Sequence, residues 1–410
     1  MEVYAVGGSV RDLAMGVEPR DFDYVVVGSC HDELIHLGFK QVGRGFPVYS
    51  IDGDEYALAR TDALVDGVRV VSFSPEVSLM DDLMRRDLTI NAMALSPDGG
   101  IIDYFGGLED IDKKILRHVS DSFDNDPIRV LRVARFMARL SDFSIAEETM
   151  REMRRIVCDG GLLNEPKERI WKEVSRALLE PSPELFFKTL MDCGALDMIM
   201  PEISRLSGVP QSVEYHPEVD TFVHVMMTLK KASELTRNPL IIFSALVHDL
   251  GKGVTDKNLH PRHFGHEELG CNEVISLCNR IGAPKDYSVF GLVSSRYHTH
   301  VHMINELRHV TIVDVFDKIN AYRKPLLVEM LAIVSEADAR GRLGFENYVY
   351  NNGDKLKECF EKCKSVSLSN FLIKGRENDI EKIKAKVRVS RASLIRSVLR
   401  PNKGFEVSYE

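Results

Sequence analysis

The hydrophobic rhythm of this chain changes about a quarter of the way along its 410 residues. Up to about residue 110 the apolar runs are short and end in glycine or a polar residue: VYAVGG, DYVVVG, EYALAR and IIDYFGG. Runs of this kind predict strands. After VYAVGG, the stretch SVRDLAMG predicts a helix opened by Ser9 and closed by Gly16. From about residue 120 onward strand signals fade, and DPIRVLRVARFMARL, KERIWKEVSRALL and PELFFKTLMDCGAL repeat their apolar positions with a helical period. Pro201 and Pro210 then interrupt the pattern. Beyond them histidine usage jumps: ten of the thirteen histidines lie between residues 216 and 309. The last stretch, 341–410, is polar with apolar stripes such as DIEKIKAKV.

Composition narrows the class. Hydrophobic content of 44% and charged content of 28% are ordinary for a globular chain with a real core. No apolar run approaches the roughly 18 residues a membrane span needs. The start, MEVYAVGGSVRD, has an acid at position two and glycines from position seven, which is not the pattern of a signal peptide. The seven cysteines are scattered and odd in number, so reduced thiols and a cytoplasmic location are expected. Cys359 and Cys363 fit one face of a helix, with no further Cys or His close by in sequence to complete a zinc site. A net charge of −9 argues against a surface coated for nucleic acid. Residues 113–176 nevertheless hold fourteen Lys and Arg against eleven Asp and Glu, which predicts a local basic face with salt-sensitive binding.

Two aspartates, Asp21 and Asp23, open the apolar run YVVV. On a strand they share a face, with Cβ atoms roughly 6.5–7 Å apart. Side chains so placed converge on one or two hard cations bound by oxygen. Before them, Gly7 and Gly8 allow close backbone approach to phosphate, the following helix start offers free N–H groups, and Arg11 adds a charge-assisted contact. Glu55, on EYALAR, supplies a third carboxylate. Arg129, Arg132, Arg135 and Arg139 are spaced to fall within an arc of about 120° on one helix, a face for triphosphate, base or RNA backbone.

GGSVRD with DFD, RRDLTINAM at 85–93, DYFGGLEDI at 103–111 and NDPIRVLRVARF at 125–136 together resemble the bacterial tRNA nucleotidyltransferases, the CCA-adding enzymes. These belong to the polymerase-beta-like superfamily, in the class that also holds bacterial poly(A) polymerases. The resemblance runs from the first residues to about 345. It implies Mg2+ on Asp21 and Asp23, and a nucleoside triphosphate on Gly8, Arg11, Arg86, Asp126, Arg129 and Arg132. It also implies tRNA as partner, with CTP and ATP as substrates and pyrophosphate released. Two departures stand out. The acid-acid-x-x-Arg segment that pairs with the incoming base has Asn125 in its first position, although Asp126 and Arg129 match. The loop between Arg60 and Asp82, which in such enzymes helps the switch from C to A, reads TDALVDGVRVVSFSPEVSL and is divergent. An enzyme that adds C only, or a poly(A) polymerase, is the alternative.

His224, His248-Asp249, His263, His266 and His298, carried by ALVHDLGKG and PRHFGHEELG, resemble an HD phosphohydrolase domain. The resemblance implies a transition-metal site, nickel or a similar divalent ion, on His224, His248, Asp249 and His298. Phosphatase, 2′-nucleotidase and 2′,3′-cyclic phosphodiesterase activities would follow. The acid that closes such a site aligns with Asn320, with Asp317 one turn earlier.

The expected architecture is α+β. A nucleotidyltransferase head with a small mixed β-sheet spans 1–140. A helical, tRNA-binding neck and body follows over 141–212. A helical HD domain covers 213–335 and a helical tail 336–410. No membrane association is expected, and monomer and homodimer both remain open.

Overall fold

One seven-stranded sheet organises the first part of the chain. The computed structural model describes residues 1–19, 21–42, 47–65, 68–371 and 380–399. They fall into two units, Met1–Met198 and Ile199–Glu410. In the first unit the strands are β1 (Glu2–Val6), β2 (Asp23–Val27), β3 (Lys40–Gln41), β4 (Val48–Ile51), β5 (Asp54–Leu58), β6 (Arg60–Val65), β7 (Val68–Phe73), β8 (Met93–Leu95) and β9 (Ile101–Asp103), with a short parallel pair, β10 (Ile115–Leu116) and β11 (Ser144–Ile145), apart from them. The sheet order is β3-β4-β5-β2-β1-β8-β9, and β6 and β7 form a separate two-stranded ribbon. Every neighbouring pair in the large sheet is antiparallel except β2 with β5, which run parallel.

Strand β2 is the centre of the core. Its alternate residues bury on opposite faces. Val25 packs with Val6, Leu79, Leu83 and Ala92, whereas Val26 packs with Leu34, Tyr49 and Leu58. Tyr24 stacks on Tyr56 of β5, with ring centroids 4.8 Å apart, and this cross-strand pair fixes the parallel register.

The helices of this unit are α1 (Gly8–Ala14), α2 (His31–His36), α3 (Leu79–Met84), α4 (Gly107–Asp112), α5 (Arg129–Arg139), α6 (Glu147–Cys158), α7 (Lys167–Ala177) and α8 (Pro183–Asp192). Helix α5 is buried at Val130, Leu131, Val133, Ala134, Phe136 and Ala138, and it packs against α7 and α8.

Two expectations are corrected. The first helix is not opened by Ser9. It starts at Gly8 with Gly7 as its cap, and the Ser9 hydroxyl donates to the Val6 carbonyl at 3.2 Å. Gly7 holds φ 77° and ψ −130°, a region that only glycine enters readily. A Cβ there would also stand 3.0 Å from Arg86 Nη1. Gly7→Ala is therefore expected to destabilise the first unit by about 1–3 kcal/mol, read as a lower urea midpoint.

The second correction concerns the segment after Arg60. It is a hairpin and not a loop, with Arg60 opposite Phe73, Thr61 opposite Ser72 and Asp62 opposite Val71. Its β-branched run, VRVVSF, follows the dipeptide Asp66-Gly67, a pairing common in tight hairpin turns. Residues 66–67 themselves lie outside the described ones.

Two short helices follow, α9 (Ala195–Ile199) and α10 (Pro201–Ser204). The second unit is helical among its described residues: α11 (Thr221–Leu235), α12 (Pro239–Val247), α13 (His266–Ile281), α14 (Lys285–His302), α15 (His309–Lys318), α16 (Leu326–Arg340), α17 (Asn352–Lys364) and α18 (Ile380–Leu394). Helix α12 is apolar on all sides, with Ile241, Ile242, Phe243, Ala245, Leu246 and Val247 buried, and is packed by α11, α14 and α16. That burial carries His248 and Asp249, at its C-terminal end, into the interior.

The boundary expected at residue 335 falls inside α16. Helices α15 to α18 share one core built on Phe316, Leu331, Leu356, Phe360 and Ile395. Cys359 and Cys363 belong to this core, where burial pushes their thiols up to about 12 and about 11. All seven cysteines are free thiols. Among the described residues, no helix is long and apolar enough to cross a membrane.

Candidate functional site

The first unit holds a cavity of about 540 Å³. Its walls come from the β1–α1 turn, β2, β5, the segment after α3, and α5. Gly8, Arg11, Asp23, Glu55, Arg86, Asp126, Arg129 and Arg132 all line it. Asp21 lies just ahead of β2, exposed, and is not among the lining residues. Asp21 is therefore not a strand partner of Asp23. The ladder instead sets Glu55 beside Asp23, as the two are in register across β2 and β5. Facing residues in register point the same way, so two carboxylates project together at the cavity wall.

Charge in the cavity is sorted. Eight arginines and no lysine line it, together with five carboxylates. Three of these carboxylates are buried and held by arginine. Asp82 accepts from Arg85 at 2.7 Å and from Arg86 at 3.0 Å. Asp87 accepts from Arg132 at 2.7 Å. Asp126 accepts from Arg169 at 2.7 and 2.9 Å through its two oxygens. The other two, Asp23 and Glu55, are exposed, and neither has a hydrogen-bond or ion-pair partner among the described residues.

The arginines are tethered rather than loose. Arg11 donates to Asn91 Oδ1 at 2.7 Å and to Asp12. Asn91 in turn donates to Asp87 Oδ1 at 3.0 Å. Arg135 pairs with Glu173 at 2.7 Å and Arg139 with Asp12 at 3.1 Å. Arg129 donates to the carbonyls of Ser122 and Arg85. A guanidinium has five N–H groups in a fixed fork, so each of these still has donors to offer after one anchor is made. The arginine arc read from the spacing of α5 is thus a set of anchored cavity residues, with Arg129 and Arg135 buried.

Asp87 gives this lattice a pH signature. Burial alone would raise its carboxyl, but Arg132, Asn91 and Arg129 hold it at about 2, against an ordinary value of 3.8. A carboxyl lowered on folding stabilises the protein above its unfolded value and loses that contribution as pH falls towards its folded one. The expected contribution is about 2 kcal/mol at neutral pH, lost between about pH 4 and pH 2. The gap in unfolding free energy between the native chain and Asp87→Asn, measured in urea, should narrow from pH 6 to pH 3.

The segment expected to pair with the incoming base is arranged in parts. Asp126 and Arg129 line the cavity. Asn125, the departure from the expected acid, donates from Nδ2 to the Asp62 carbonyl of β6 at 3.3 Å. It ties the segment to the hairpin. Asp82 and Asn91 are central to the site, and the residue pattern did not single them out. The spacing of Asp82 three and four residues before Arg85 and Arg86 is the signal that identifies it.

A second cluster lies in the other unit. His224 (α11), His248 and Asp249 (end of α12), His298 (α14) and Asp338 (α16) are all buried, and His266 (α13) is nearly so. Four three-residue groups drawn from this neighbourhood have their ligand atoms within 4.8 Å of one another: His216-Glu218-His224, His224-His248-Asp249, His248-His298-Asp338 and Asp249-His266-His298. All four expected metal residues are therefore together.

The acid that reaches the cluster is not at Asn320 but at Asp338, 3.1 Å from His224 Nε2. Asn320 is exposed and ends α15 in the left-handed region, at φ 58°. His263 is not part of the cluster: it bonds Thr255 at 2.7 Å and the Pro210 carbonyl at 2.9 Å. Gly251 explains how His266 arrives. A Cβ there would collide with the His266 carbonyl, so only glycine lets α13 begin so close to HDLGK.

Hydrogen bonds around the cluster set the imidazole tautomers. His248 Nδ1 lies 2.8 Å from the Ala245 carbonyl, His266 Nδ1 2.8 Å from the His263 carbonyl, and His298 Nδ1 2.9 Å from the Ser294 carbonyl. A carbonyl only accepts, so each Nδ1 carries a proton, and Nε2 presents a lone pair when the ring is neutral. His248 Nε2, His266 Nε2 and Asp249 Oδ1 are buried without a hydrogen-bond partner. Burial alone would raise the Asp249 carboxyl, but Lys252 and His248 hold it well below the usual range.

Residues 3–117 match the family model for the poly A polymerase head domain. Residues 142–206 match the model described as "Probable RNA and SrmB- binding site of polymerase A". Among solved structures, the chain is similar to a CCA-adding enzyme with ATP at 20% identity and a TM-score of 0.64, covering 99% of this chain and 89% of that one. A CCA-adding enzyme with CTP gives 19% identity and 0.59, covering 98% and 88%. A tRNA-processing enzyme complex gives 21% and 0.58, covering 97% of each. The chain thus matches the poly A polymerase head model over 3–117 and the polymerase A binding-site model over 142–206, in a fold similar to that of CCA-adding enzymes.

Proposed function

We propose that the protein adds nucleotides to the 3′ end of tRNA, building or repairing CCA from CTP and ATP. The observation that carries this reading is the sorting of charge in the head cavity. Asp23 and Glu55 stand unpaired and exposed beside an otherwise arginine-held wall, which suits cation-bridged triphosphate chemistry. The donor set fits Mg2+: hard oxygen ligands, open to solvent, with Asp21 close in the chain. When bound there, Mg2+ supplies charge stabilisation to the attacking and leaving oxygens of phosphoryl transfer.

This chain's own residues do the rest. The arginine wall holds the triphosphate, with Arg11 and Arg86 beside the Gly7–Gly8 turn and Arg132 on α5. Asp126 offers acceptors and Arg129 donors to the edge of the incoming base. Because the arginines are anchored before the ligand arrives, little reorganisation is needed at the moment of transfer.

The His/Asp cluster fits a borderline divalent metal such as nickel, given its imidazole and carboxylate donors with lone pairs exposed inside it. We assign it a metal-dependent phosphohydrolase activity towards phosphate esters.

Single nucleotides test the transferase reading. A tRNA ending before its CCA should incorporate label from CTP alone and none from GTP or UTP. Extension by ATP alone into a run of A would instead make the protein a poly(A) polymerase.

A further inference from the structure

Asp126 is held from two directions. Its backbone is extended, at φ −144° and ψ 89°, as expected of the residue ahead of a proline, here Pro127. Its carboxylate is held from another part of the chain. Arg169 Nη2, in the first turn of α7, donates to Oδ1 at 2.7 Å and to Oδ2 at 2.9 Å. The second terminal nitrogen of Arg169, Nη1, donates to Glu165 Oε2 at 2.8 Å. The side chains of Asp126 and Glu165 are only 11% and 8% exposed. Arg169 is thus a guanidinium fixed at one nitrogen by Glu165 and aimed by the other at Asp126.

A carboxylate at this place has competitors for its attention. Arg129 and Arg132 line the same cavity and follow Asp126 on α5 at three-residue steps. Released from Arg169, Asp126 would turn onto one of them, and Arg129 would then have donors occupied that the incoming base needs.

The bases differ at the edge that such a pair reads. C and A each set an amino donor beside a ring-nitrogen acceptor, whereas U and G set a carbonyl acceptor beside an N–H donor. An acceptor on Asp126 next to a donor on Arg129 matches the first arrangement. It leaves the second with acceptor against acceptor and donor against donor. That discrimination lasts only while both side chains keep their places.

We propose that Arg169 is a specificity-determining positioning residue, which aims Asp126 at the base edge and keeps it off Arg129 and Arg132. Arg169 is not among the residues lining the cavity, so it acts through Asp126. The inference rests on the transferase reading and adds a residue from α7 to the selection of the base.

Nucleotide choice by Arg169 variants of the full chain tests it. Transfer from CTP and from UTP to tRNA lacking its CCA is measured separately, with equilibrium binding of both nucleotides for variants too slow to follow. Arg169→Ala should lower kcat/KM for CTP by about 10–100-fold. It should also raise UMP incorporation relative to CMP by about tenfold or more. Arg169→Lys, which keeps a donor and the charge, should recover part of that ratio. The Asp126–Arg169 pair is partly exposed at the arginine, so the urea midpoint of either variant should stay close to that of the native chain. A C-to-U ratio unchanged in Arg169→Ala, by transfer and by binding, would overturn the positioning role and leave Arg169 a structural tie. A native chain that transfers neither CMP nor AMP would overturn the transferase reading and this inference with it.

Discussion

Asp23→Ala removes nucleotide transfer by roughly a thousandfold or more while leaving the fold intact. The two halves of this result come from the same observation. Asp23 begins β2 with its side chain exposed and without a partner among the described residues. Its removal strands no buried arginine, so stability should change by less than about 0.5 kcal/mol, as for an ordinary surface substitution. The catalytic loss is expected to be large because Asp23 faces Glu55 across the ladder, where the proposed function puts the cation. Steady-state transfer of CMP to tRNA, set beside urea unfolding of the same variant, checks both. Near-native transfer by Asp23→Ala would remove the metal assignment.

Asp82→Ala is expected to do the reverse. Asp82 is fully buried and accepts from Arg85, from Arg86 and from the Arg60 backbone N–H at 3.3 Å. Burial alone would raise its carboxyl, but Arg86 and Arg85 lower it. Alanine would leave two guanidinium groups in the cavity wall without their shared counter-charge. Breaking a buried pair in this way costs about 3–5 kcal/mol, because the remaining charge stays desolvated. Unfolding in urea should show that loss. Transfer should fall with it, since Arg85 also donates to the Arg60 carbonyl and its own carbonyl holds Arg129. A stability within about 1 kcal/mol of the native chain would mean that water reaches this carboxylate and that the lattice is looser than described.

What the residue pattern revealed, and what it did not, follows from whether a signal is local. Strands β1, β2, β5 and β9 were legible because each is a short apolar run closed by a turn residue or glycine. Helices α5, α7 and α8 were legible from their period. The hairpin β6–β7 was hidden because its segment was read against a family loop, although VRVVSF alone is a fair strand. The start of α1 was assigned to Ser9 because serine is the usual cap, whereas the turn here needs the positive φ of Gly7. Most of the residues that line the head cavity were recognisable as motifs. Their division into paired and unpaired carboxylates was not, because Arg132 reaches Asp87, and Arg169 reaches Asp126, from segments distant in the chain. Asp338 escaped for the same reason. It is one of three acids on α16, with Glu329 and Glu336, and only the packing of α11, α12, α14 and α16 brings it to His224. Asn320 was nearer in sequence to the expected position, but it ends a helix in solvent.

The departures at Asn125 and in the β6–β7 hairpin bear on the same step. Asn125 contacts the hairpin through the Asp62 carbonyl, and Asp126 and Arg129, just beyond it, line the cavity. Selection between C and A is therefore the part of the proposed activity most exposed to these changes. The measurement that tests the central claim most directly is sequencing of tRNA 3′ termini. A tRNA lacking its CCA is incubated with the purified protein, Mg2+, CTP and ATP. The account predicts termini restored to CCA, with Asp126 and Arg129 accepting both bases. Termini left unchanged would contradict it and place the function of this chain in the histidine–aspartate cluster alone.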